Sequence, residues 1–193
     1  MALSIGINKI KTAVFISGSG SNLLSLIKFS KQKKSPISIN MIITNNRKSK
    51  GLIYSKQFRV KKRIYNFKAR KLAEKKILLE LRKNKIDLIC LAGFMKILSK
   101  NFINKFKGKI LNIHPSLLPK FKGLNTHERA LKNKEKFSGC TVHYVNSKLD
   151  SGEVILQKKV KIKKGETSKT LRDKILRQEH KLYPEAIKMI FNS

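Results

Sequence analysis

The stretch TAVFISGSGSNLLSLIKFSKQ, residues 12–32, decides the fold of this chain. Its opening run TAVFIS is apolar and partly β-branched, which predicts a short buried strand. Glycine and serine alternate over residues 18–21, and apolar residues then recur at helical spacing from Asn22 onward. The stretch therefore predicts a strand, a tight glycine loop and a helix.

The glycine loop contains Gly18, Ser19, Gly20, Ser21 and Asn22. Glycines let the backbone turn tightly, and free N–H groups at a helix start form an anion-binding nest. No Gly-Lys-Ser/Thr follows, and the third glycine of the dinucleotide fingerprint is missing. We therefore expect a phosphate monoester as the ligand. The alternative is an ordinary Gly/Ser turn in which Asn22 caps the helix.

The remainder of the first half alternates strand and helix patterns. Strands are predicted at residues 36–44, near 63–65, at 86–94 and at 109–114. Helices are predicted around residues 51–58, at 68–85 and near 98–106. This alternation predicts an α/β fold, with a Rossmann-like, mostly parallel sheet that carries helices on both faces.

After residue 114 the pattern changes. A helix is predicted near 126–133, antiparallel strands at 140–145 and 153–162, and a long terminal helix at 168–191. No internal repeat, low-complexity linker or Pro/Gly-rich hinge interrupts the chain. We expect one domain over residues 1–193, in which 12–113 form the nucleotide- and phosphate-binding half and 114–193 complete the site.

The charge of the chain is a weak guide to its partners. Lys and Arg number 45 against 11 Asp and Glu, a net charge of +34, which is typical of nucleic-acid-binding proteins. The basic residues are spread along the whole chain, most are Lys, and Trp is absent. Such a set is poor at reading or stacking bases, and translation of an AT-rich genome would produce it. We expect no specific nucleic-acid partner.

The cysteine and histidine patterns concern compartment and metal binding. Cys90 and Cys140 lie in apolar runs, which favours buried free thiols in a reducing cytoplasm. The amino end lacks a secretory layout, and no run approaches the length of a membrane span. His127, His143 and His180 show no metal-ligand spacing, so we expect no metal and interpret these histidines as structural.

The stretch KILNIHPSLLPKFKGLNTH, residues 109–127, places polar side chains at a strand end. Asn112 and His114 are two apart, so both leave the same face, at the edge where open α/β sheets bind ligands. An amide N–H beside an imidazolium suits a developing oxyanion. Asp150, in the turn KLDSG, could fix the histidine tautomer and raise its basicity. The alternatives are a hydrogen-bonded strand end and a simple Asx-turn.

The chain resembles the folate-dependent phosphoribosylglycinamide formyltransferases from about residue 12 to 190. The stretches that carry this resemblance, in the order of the family, are ISGSGSN, LAGFMKILS, LNIHPSLLPKFKG, SGCTVHYVNSKLDSG and RQEHKLYPEAI. The resemblance implies the formyltransferase fold. It also implies transfer of the formyl group of the cosubstrate 10-formyltetrahydrofolate to the amine of glycinamide ribonucleotide, in de novo purine biosynthesis. The implied partners are these small molecules, with no metal and no membrane, and the chain would be a monomer or homodimer.

The resemblance also implies roles for individual residues. Asn112 and protonated His114 would stabilise the oxyanion, and Asp150 would keep His114 charged. The substrate phosphate would bind Gly20, Ser21 and Asn22, and the ribose would bind Glu179. The folate pocket would be lined by Arg70, Leu91, Met95, Lys96, Ile97, Leu98, Asn112 and Val145.

Some positions depart from the family pattern. Asn125 stands where many members carry histidine, so hydrogen bonding near the site would differ. Lys96 replaces the usual arginine, and Lys122 and Glu153 replace prolines beside the site. None of these departures removes a catalytic group. We expect them to affect rate and stability rather than the type of reaction.

Three alternatives remain open. Formyltetrahydrofolate hydrolase shares the Asn/His/Asp group, but normally carries an extra amino-terminal domain that we expect this protein to lack. Methionyl-tRNA formyltransferase shares the fold, but usually adds a carboxyl-terminal RNA-binding domain. A basic nucleic-acid-binding protein without catalysis is the alternative from a different class, and it predicts steeply salt-dependent binding.

Overall fold

A computed structural model of the chain describes residues 9–191. Its strands form one seven-stranded sheet in the order β3-β2-β1-β4-β5-β6-β7. They are, in chain order, β1 Ile10–Ile16, β2 Ile37–Thr44, β3 Lys61–Ile64, β4 Leu88–Leu91, β5 Lys109–His114, β6 Phe137–Tyr144 and β7 Val154–Lys161. The first five are parallel, and β6 and β7 run antiparallel. This confirms the predicted α/β class with a mostly parallel sheet.

Helices cover both faces of the sheet, as predicted. They are α1 Ser21–Ser30, α2 Ile53–Gln57, α3 Arg70–Lys83, α4 Lys100–Lys105, α5 Thr126–Lys132 and α6 Ser168–Phe191, with 3-10 turns at Lys50–Leu52 and Phe67–Ala69. Alternate residues of β1 divide between the two cores. Val14 and Ile16 belong to the cluster with α1 and α6, and Ala13 and Phe15 to the cluster with α3 and α4. None of these described helices is long and apolar enough to cross a membrane.

Several predicted boundaries were wrong. Strand β4 ends at Leu91, short of the predicted residue 94, because the chain turns at Gly93, whose φ is +74°. The following residues 92–99 form a loop beside the site. Strand β6 begins at Phe137 rather than 140, and the helix predicted around 51–58 is a 3-10 turn followed by the short helix α2.

Helix α6 is fastened to the sheet close to the site. The hydroxyl of the fully buried Tyr183 lies 3.2 Å from the carbonyl of Leu91 and 3.0 Å from that of Leu111, near the ends of β4 and β5. Pro184 has no N–H for the helical bond to the carbonyl of His180. The Ser25 hydroxyl donates to that carbonyl instead, at 2.7 Å. The helix therefore keeps a fixed position, which places Glu179 one turn before Tyr183.

The strand order creates a crevice between β1 and β4. Strand β2 lies on one side of β1 and β4 on the other, so the chain leaves these two neighbouring strands in opposite directions. In open α/β sheets ligands bind at such a switch point, outside the carboxyl ends of the strands. The loops after β1, β4 and β5 all end at this crevice.

Candidate active site

A cleft of about 960 Å³ opens at the carboxyl ends of β1, β4 and β5. The glycine loop after β1 forms one end of it, and the ends of β5 and β6 form the other. The loops 92–99, 115–125 and 145–153 line the space between, together with one side of α6. The glycine loop and the predicted catalytic residues therefore share a single cleft.

The glycine loop presents unused backbone donors. In the described chain, the N–H groups from Gly18 to Leu23 donate to no acceptor. Gly20 has a φ of +76° and directly precedes α1, and no side chain caps this helix start. The alternative expected from the sequence, an ordinary turn in which the Asn22 side chain caps α1, is therefore not formed. Free donors at a helix amino end create positive potential, which suits a phosphate group.

The Asn22 side chain is engaged with Glu179. Its Nδ2 donates to the Glu179 carboxylate at 2.6 Å, and both residues are buried at the edge of the cleft. Burial raises the pKa of Glu179, and the bond from Asn22 opposes this shift only in part. The Oδ1 atom of Asn22 has no hydrogen-bond partner among residues 9–191. A ligand bound at the loop would therefore contact the backbone of Asn22. Beside it lie the buried side chains of Asn22 and Glu179, whose oxygen atoms can accept hydrogen bonds.

Asn112, His114 and Asp150 are in contact, which the sequence predicted from spacing and resemblance. Nε2 of His114 lies 2.9 Å from the carbonyl of Phe121, and a carbonyl only accepts, so Nε2 carries a hydrogen. Nδ1 lies 3.4 Å from Oδ2 of Asp150. The two ring nitrogens of His114 are thus held between the Phe121 carbonyl and the Asp150 carboxylate.

Asp150 joins two loops rather than closing an Asx-turn. Its Oδ2 accepts from the backbone N–H of Gly123 at 2.9 Å, and its own φ is +44°. Beside it, the Lys122 ammonium donates to the Ser151 hydroxyl at 2.6 Å. Lys122, which departs from the family pattern, therefore contributes a contact between the 115–125 and 145–153 loops.

His143 belongs to the same group, which the sequence analysis missed by interpreting it as structural. Its Nδ1 donates to the carbonyl of Tyr144 at 2.7 Å, so Nε2 is left as an acceptor. Asn112 Nδ2 lies 3.2 Å from that Nε2 and 3.4 Å from Oδ1 of Asp150. Burial lowers the pKa of His143, although the Tyr144 carbonyl and Asp150 act against this shift, so the neutral ring that can accept is favoured. His143 thereby fixes which way the Asn112 amide points.

The residues predicted for the folate pocket divide into two groups. The cleft is lined by all but one of them: Leu91, Met95, Lys96, Ile97, Leu98, Asn112 and Val145. Arg70 lies outside the lining, at the start of α3, with its Nε 3.8 Å from Glu74. Glu74 is buried and accepts from the backbone N–H of Ser99 at 2.8 Å. Arg70 is thus connected to the end of the 92–99 loop through Glu74.

An apolar rim surrounds the mouth of the cleft. Met95 and Ile97 are 63% and 61% exposed, and Leu124 and Leu149 are 71% and 51% exposed, each from a loop that lines the cleft. Large apolar side chains clustered in this way mark a binding surface. Leu124 and Leu149 were missed by the sequence analysis, because nothing local distinguishes a loop leucine at a cleft from one elsewhere.

His127 and Arg172 also line the cleft and were not predicted as site residues. Burial lowers the pKa of His127, and the nearby charge of Arg172 adds to this. Its Nδ1 has no partner within the described part of the chain. Asn125, the departure noted above, directly precedes α5 in a left-handed conformation with a φ of +57° and also lines the cleft.

No group of three or more His, Cys, Asp or Glu side chains in residues 9–191 is arranged to hold a metal ion. The two cysteines are unpaired and buried, as predicted. Burial raises the pKa of each thiol to about 12. They therefore act as small apolar core residues.

Comparison with known proteins adds to this geometry. The sequence model of the formyl transferase family matches residues 10–187. The human trifunctional purine biosynthetic protein adenosine-3 is 43% identical over 94% of this chain, which spans only 18% of that protein. Phosphoribosylglycinamide formyltransferase of Haemophilus influenzae is 40% identical, with 92% of this chain and 85% of the relative covered.

Solved structures give the same result. Phosphoribosylglycinamide formyltransferase from Brucella melitensis matches with a TM-score of 0.91 and 38% identity, over 96% of this chain and 97% of that one. The enzyme of the same name from Anaplasma phagocytophilum matches with a TM-score of 0.89 and 41% identity, over 96% and 88%. The chain therefore belongs to the formyl transferase family, where it groups with the phosphoribosylglycinamide formyltransferases.

Proposed function

We propose that this protein transfers the formyl group of 10-formyltetrahydrofolate to the amine of glycinamide ribonucleotide, a step of de novo purine biosynthesis. The observation that carries the proposal is the cleft itself. It holds Asn112 and His114 against Asp150 at one end and a free backbone nest at the other. An acceptor with a phosphate at one end and an amine at the other fits these two ends.

The phosphate of glycinamide ribonucleotide would lie on the N–H groups of Gly20, Ser21 and Asn22. Backbone donors at a helix start bind a phosphate without needing a lysine. Glu179 would accept from the ribose hydroxyls, since its carboxylate is held by Asn22 at the edge of the cleft. The glycinamide arm would then extend toward β5 and the 145–153 loop.

The folate would occupy the wider, apolar part of the cleft. Leu91 and Val145 are wall residues there, and Met95 and Ile97 belong to the exposed rim. A flat aromatic ring system gains free energy when such side chains cover it. Arg70 and Lys96 supply positive charge near the 92–99 loop, which favours the carboxylates of the folate tail.

The reaction needs an oxyanion to be stabilised. The neutral amine attacks the formyl carbon, the C–N bond to the acceptor forms, and negative charge develops on the formyl oxygen. Asn112 has two amide hydrogens, of which one is held by His143 and the other only loosely by Asp150, at 3.4 Å. That second hydrogen would donate to the oxyanion, and the Nδ1 hydrogen of His114, which faces Asp150 at 3.4 Å, would be shared with it. A donor of this kind contributes about 10²–10³ in rate.

The tetrahedral intermediate then collapses. The amine loses a proton, the folate nitrogen gains one, and the bond between the formyl carbon and that nitrogen breaks. Asp150 would stabilise the imidazolium of His114, accept the amine proton directly or through a water, and pass it to the departing folate nitrogen. General acid–base help of this type contributes about 10²–10⁴ in rate. The products are tetrahydrofolate and the formylated ribonucleotide, so atoms and protons balance.

The two unpaired cysteines support a reducing, cytoplasmic setting for this activity. The proposed partners are the two small-molecule substrates, with no specific nucleic acid, and the protein would act as a monomer or homodimer.

A formyl-transfer assay tests the proposal. Tetrahydrofolate production is followed from 10-formyltetrahydrofolate, with and without glycinamide ribonucleotide. We expect turnover that requires the ribonucleotide and that is lost in His114→Ala. Tetrahydrofolate release without the ribonucleotide would indicate a hydrolase instead, and no turnover by the folded wild-type protein would reject the transfer reaction.

A further inference from the structure

The segment that follows β2 lies directly behind the glycine loop. Two successive backbone carbonyls of the loop accept hydrogen bonds from this segment. Asn46 Nδ2 donates to the carbonyl of Ser17 at 3.1 Å. The carbonyl of Gly18 receives two bonds, from the Ser49 hydroxyl at 2.8 Å and from the backbone N–H of Gly51 at 3.1 Å. The segment thus fixes the direction of both carbonyls.

Fixing these carbonyls also fixes the N–H groups of the loop. In a trans peptide the carbonyl of one residue and the N–H of the next point in opposite directions. Because the carbonyls of Ser17 and Gly18 point into the 46–51 segment, the N–H groups of Gly18 and Ser19 point away from it. These N–H groups are among those that donate to nothing in the described chain.

Gly51 also determines how close the loop lies to its support. A Cβ atom built on Gly20 would lie 2.6 Å from the Cα of Gly51, and one built on Gly51 would lie 2.9 Å from the Cα of Gly20. Both contacts involve backbone, so neither can be relieved by turning a side chain. The two glycines therefore permit an approach that no other pair of residues would allow.

We propose that Ser49 and Gly51 are positioning residues for the phosphate group of the acceptor substrate. They do not touch the ligand, but fix the start of the glycine loop, directly before the Gly20–Asn22 N–H groups that we assign to the phosphate. This inference rests on the proposed function, since it assigns the phosphate to that loop. Ser49 is 5% exposed, so its hydroxyl serves this internal contact rather than the solvent.

Substitution of Ser49 gives the main test. Ser49→Ala removes one of the two bonds to Gly18, whereas Ser49→Thr keeps a hydroxyl at the same place. We expect Ser49→Ala to raise the dissociation constant for glycinamide ribonucleotide, and its KM, about threefold to tenfold with kcat nearly unchanged. The threonine variant should recover most of the affinity.

A nearby serine provides the matched control. Ser55 is also buried and donates from its hydroxyl to a carbonyl, that of Val60 at 2.7 Å, but within residues 9–191 it makes no hydrogen bond to the glycine loop. Ser55→Ala should lower stability without changing the affinity for the ribonucleotide. Equal loss of affinity in both alanine variants would overturn the proposal, because it would indicate general loosening.

Calorimetry separates this inference from the proposed function. Inorganic phosphate and glycinamide ribonucleotide are titrated into wild type and variants without folate. Weakened binding of both in Ser49→Ala supports the positioning role even if the wild type transfers no formyl group. Unchanged binding in Ser49→Ala overturns it even if transfer is confirmed. Gly51→Ala should weaken binding further, and near-normal affinity in that variant would also contradict the proposal.

Discussion

The two ends of the cleft are built from different kinds of chemical group, backbone amides at one end and side chains at the other. The end that we propose binds the phosphate, called the phosphate end, uses backbone N–H groups of one continuous stretch, Gly18 to Leu23, and its shape depends on Gly20. The end that we propose carries the reaction, called the reaction end, uses side chains from distant parts of the chain, with Asn112 on β5 contacting His143 on β6 and Asp150 in a loop. A backbone site is damaged by changes of conformation, whereas a side-chain site is damaged by changes of functional group. The two ends should therefore fail in different ways.

The largest effect is expected at the reaction end. Asp150→Asn removes the negative charge that faces Nδ1 of His114 and the proton acceptor, but keeps the shape of the side chain. Turnover should fall by about 10²–10⁴, with little change in the affinity for folate. Steady-state kinetics at saturating substrate measure this change. Near-normal turnover would reject the role of Asp150.

At the phosphate end, Gly20→Ala should affect binding more than chemistry. The new methyl group would meet the Cα of Gly51 at 2.6 Å, and the φ of +76° disfavours any residue with a Cβ. The loop must shift, so the dissociation constant for glycinamide ribonucleotide should rise about tenfold to hundredfold. Gly165, which also has a positive φ but no atom near its missing Cβ, gives the matched alanine control. If Gly20→Ala and Gly165→Ala lose affinity equally, the loss is caused by backbone strain in general and not by displacement of the glycine loop.

A smaller effect is expected for the residue that orients Asn112. His143→Ala removes the acceptor at 3.2 Å from the Asn112 amide, so this amide could rotate and present its oxygen to the substrate. We expect kcat to fall about tenfold while KM for the ribonucleotide stays near that of the wild type. His180→Ala, where α6 meets α1 and outside the lining of the cleft, is the control. If the two alanine variants lose equal activity, His143 has no special role.

The smallest effect concerns stability and pH. Burial raises the pKa of Glu179, so the folded protein binds a proton there more readily than the unfolded chain does. The carboxylate therefore favours folding below its ordinary pKa and opposes it increasingly as pH rises through the raised value. Glu179→Gln lacks this dependence, and its stability relative to wild type should increase between pH 4.5 and pH 7. Urea unfolding at several pH values measures it, with the exposed Glu185→Gln as the control. A constant difference between Glu179→Gln and wild type would contradict this prediction.

The contrast between the two ends also explains what the sequence could reveal. The glycine loop is local, so the residues TAVFISGSGSN were enough to predict a strand, a loop and a helix start in the right places. Asn112 and His114 share a strand face through the two-residue period, which is also local. Asp150 was a candidate from its residue type, with a simple Asx-turn as the alternative, and only the resemblance favoured the site, because nothing in its turn indicates the contact with His114.

The rest depended on pairing across the sheet. His143 lies directly opposite Asn112 in the antiparallel pair of β5 and β6, and that register is not readable from either strand alone. Arg70 was expected at the folate pocket, but in this structure it faces Glu74. A motif match assigns a residue such as Arg70 to a family position, but it does not give the direction in which its side chain points. The register and the loop directions were therefore the information that the sequence lacked.

The proposed separation between acceptor binding at the phosphate end and chemistry at the reaction end has one most direct test. It is the affinity of Asp150→Asn for glycinamide ribonucleotide, measured by calorimetry without folate. Binding through the phosphate end predicts a dissociation constant within about threefold of the wild-type value, although turnover is reduced by orders of magnitude. A loss of affinity as large as the loss of turnover would contradict the account, because it would show that the reaction end also carries the binding of the acceptor.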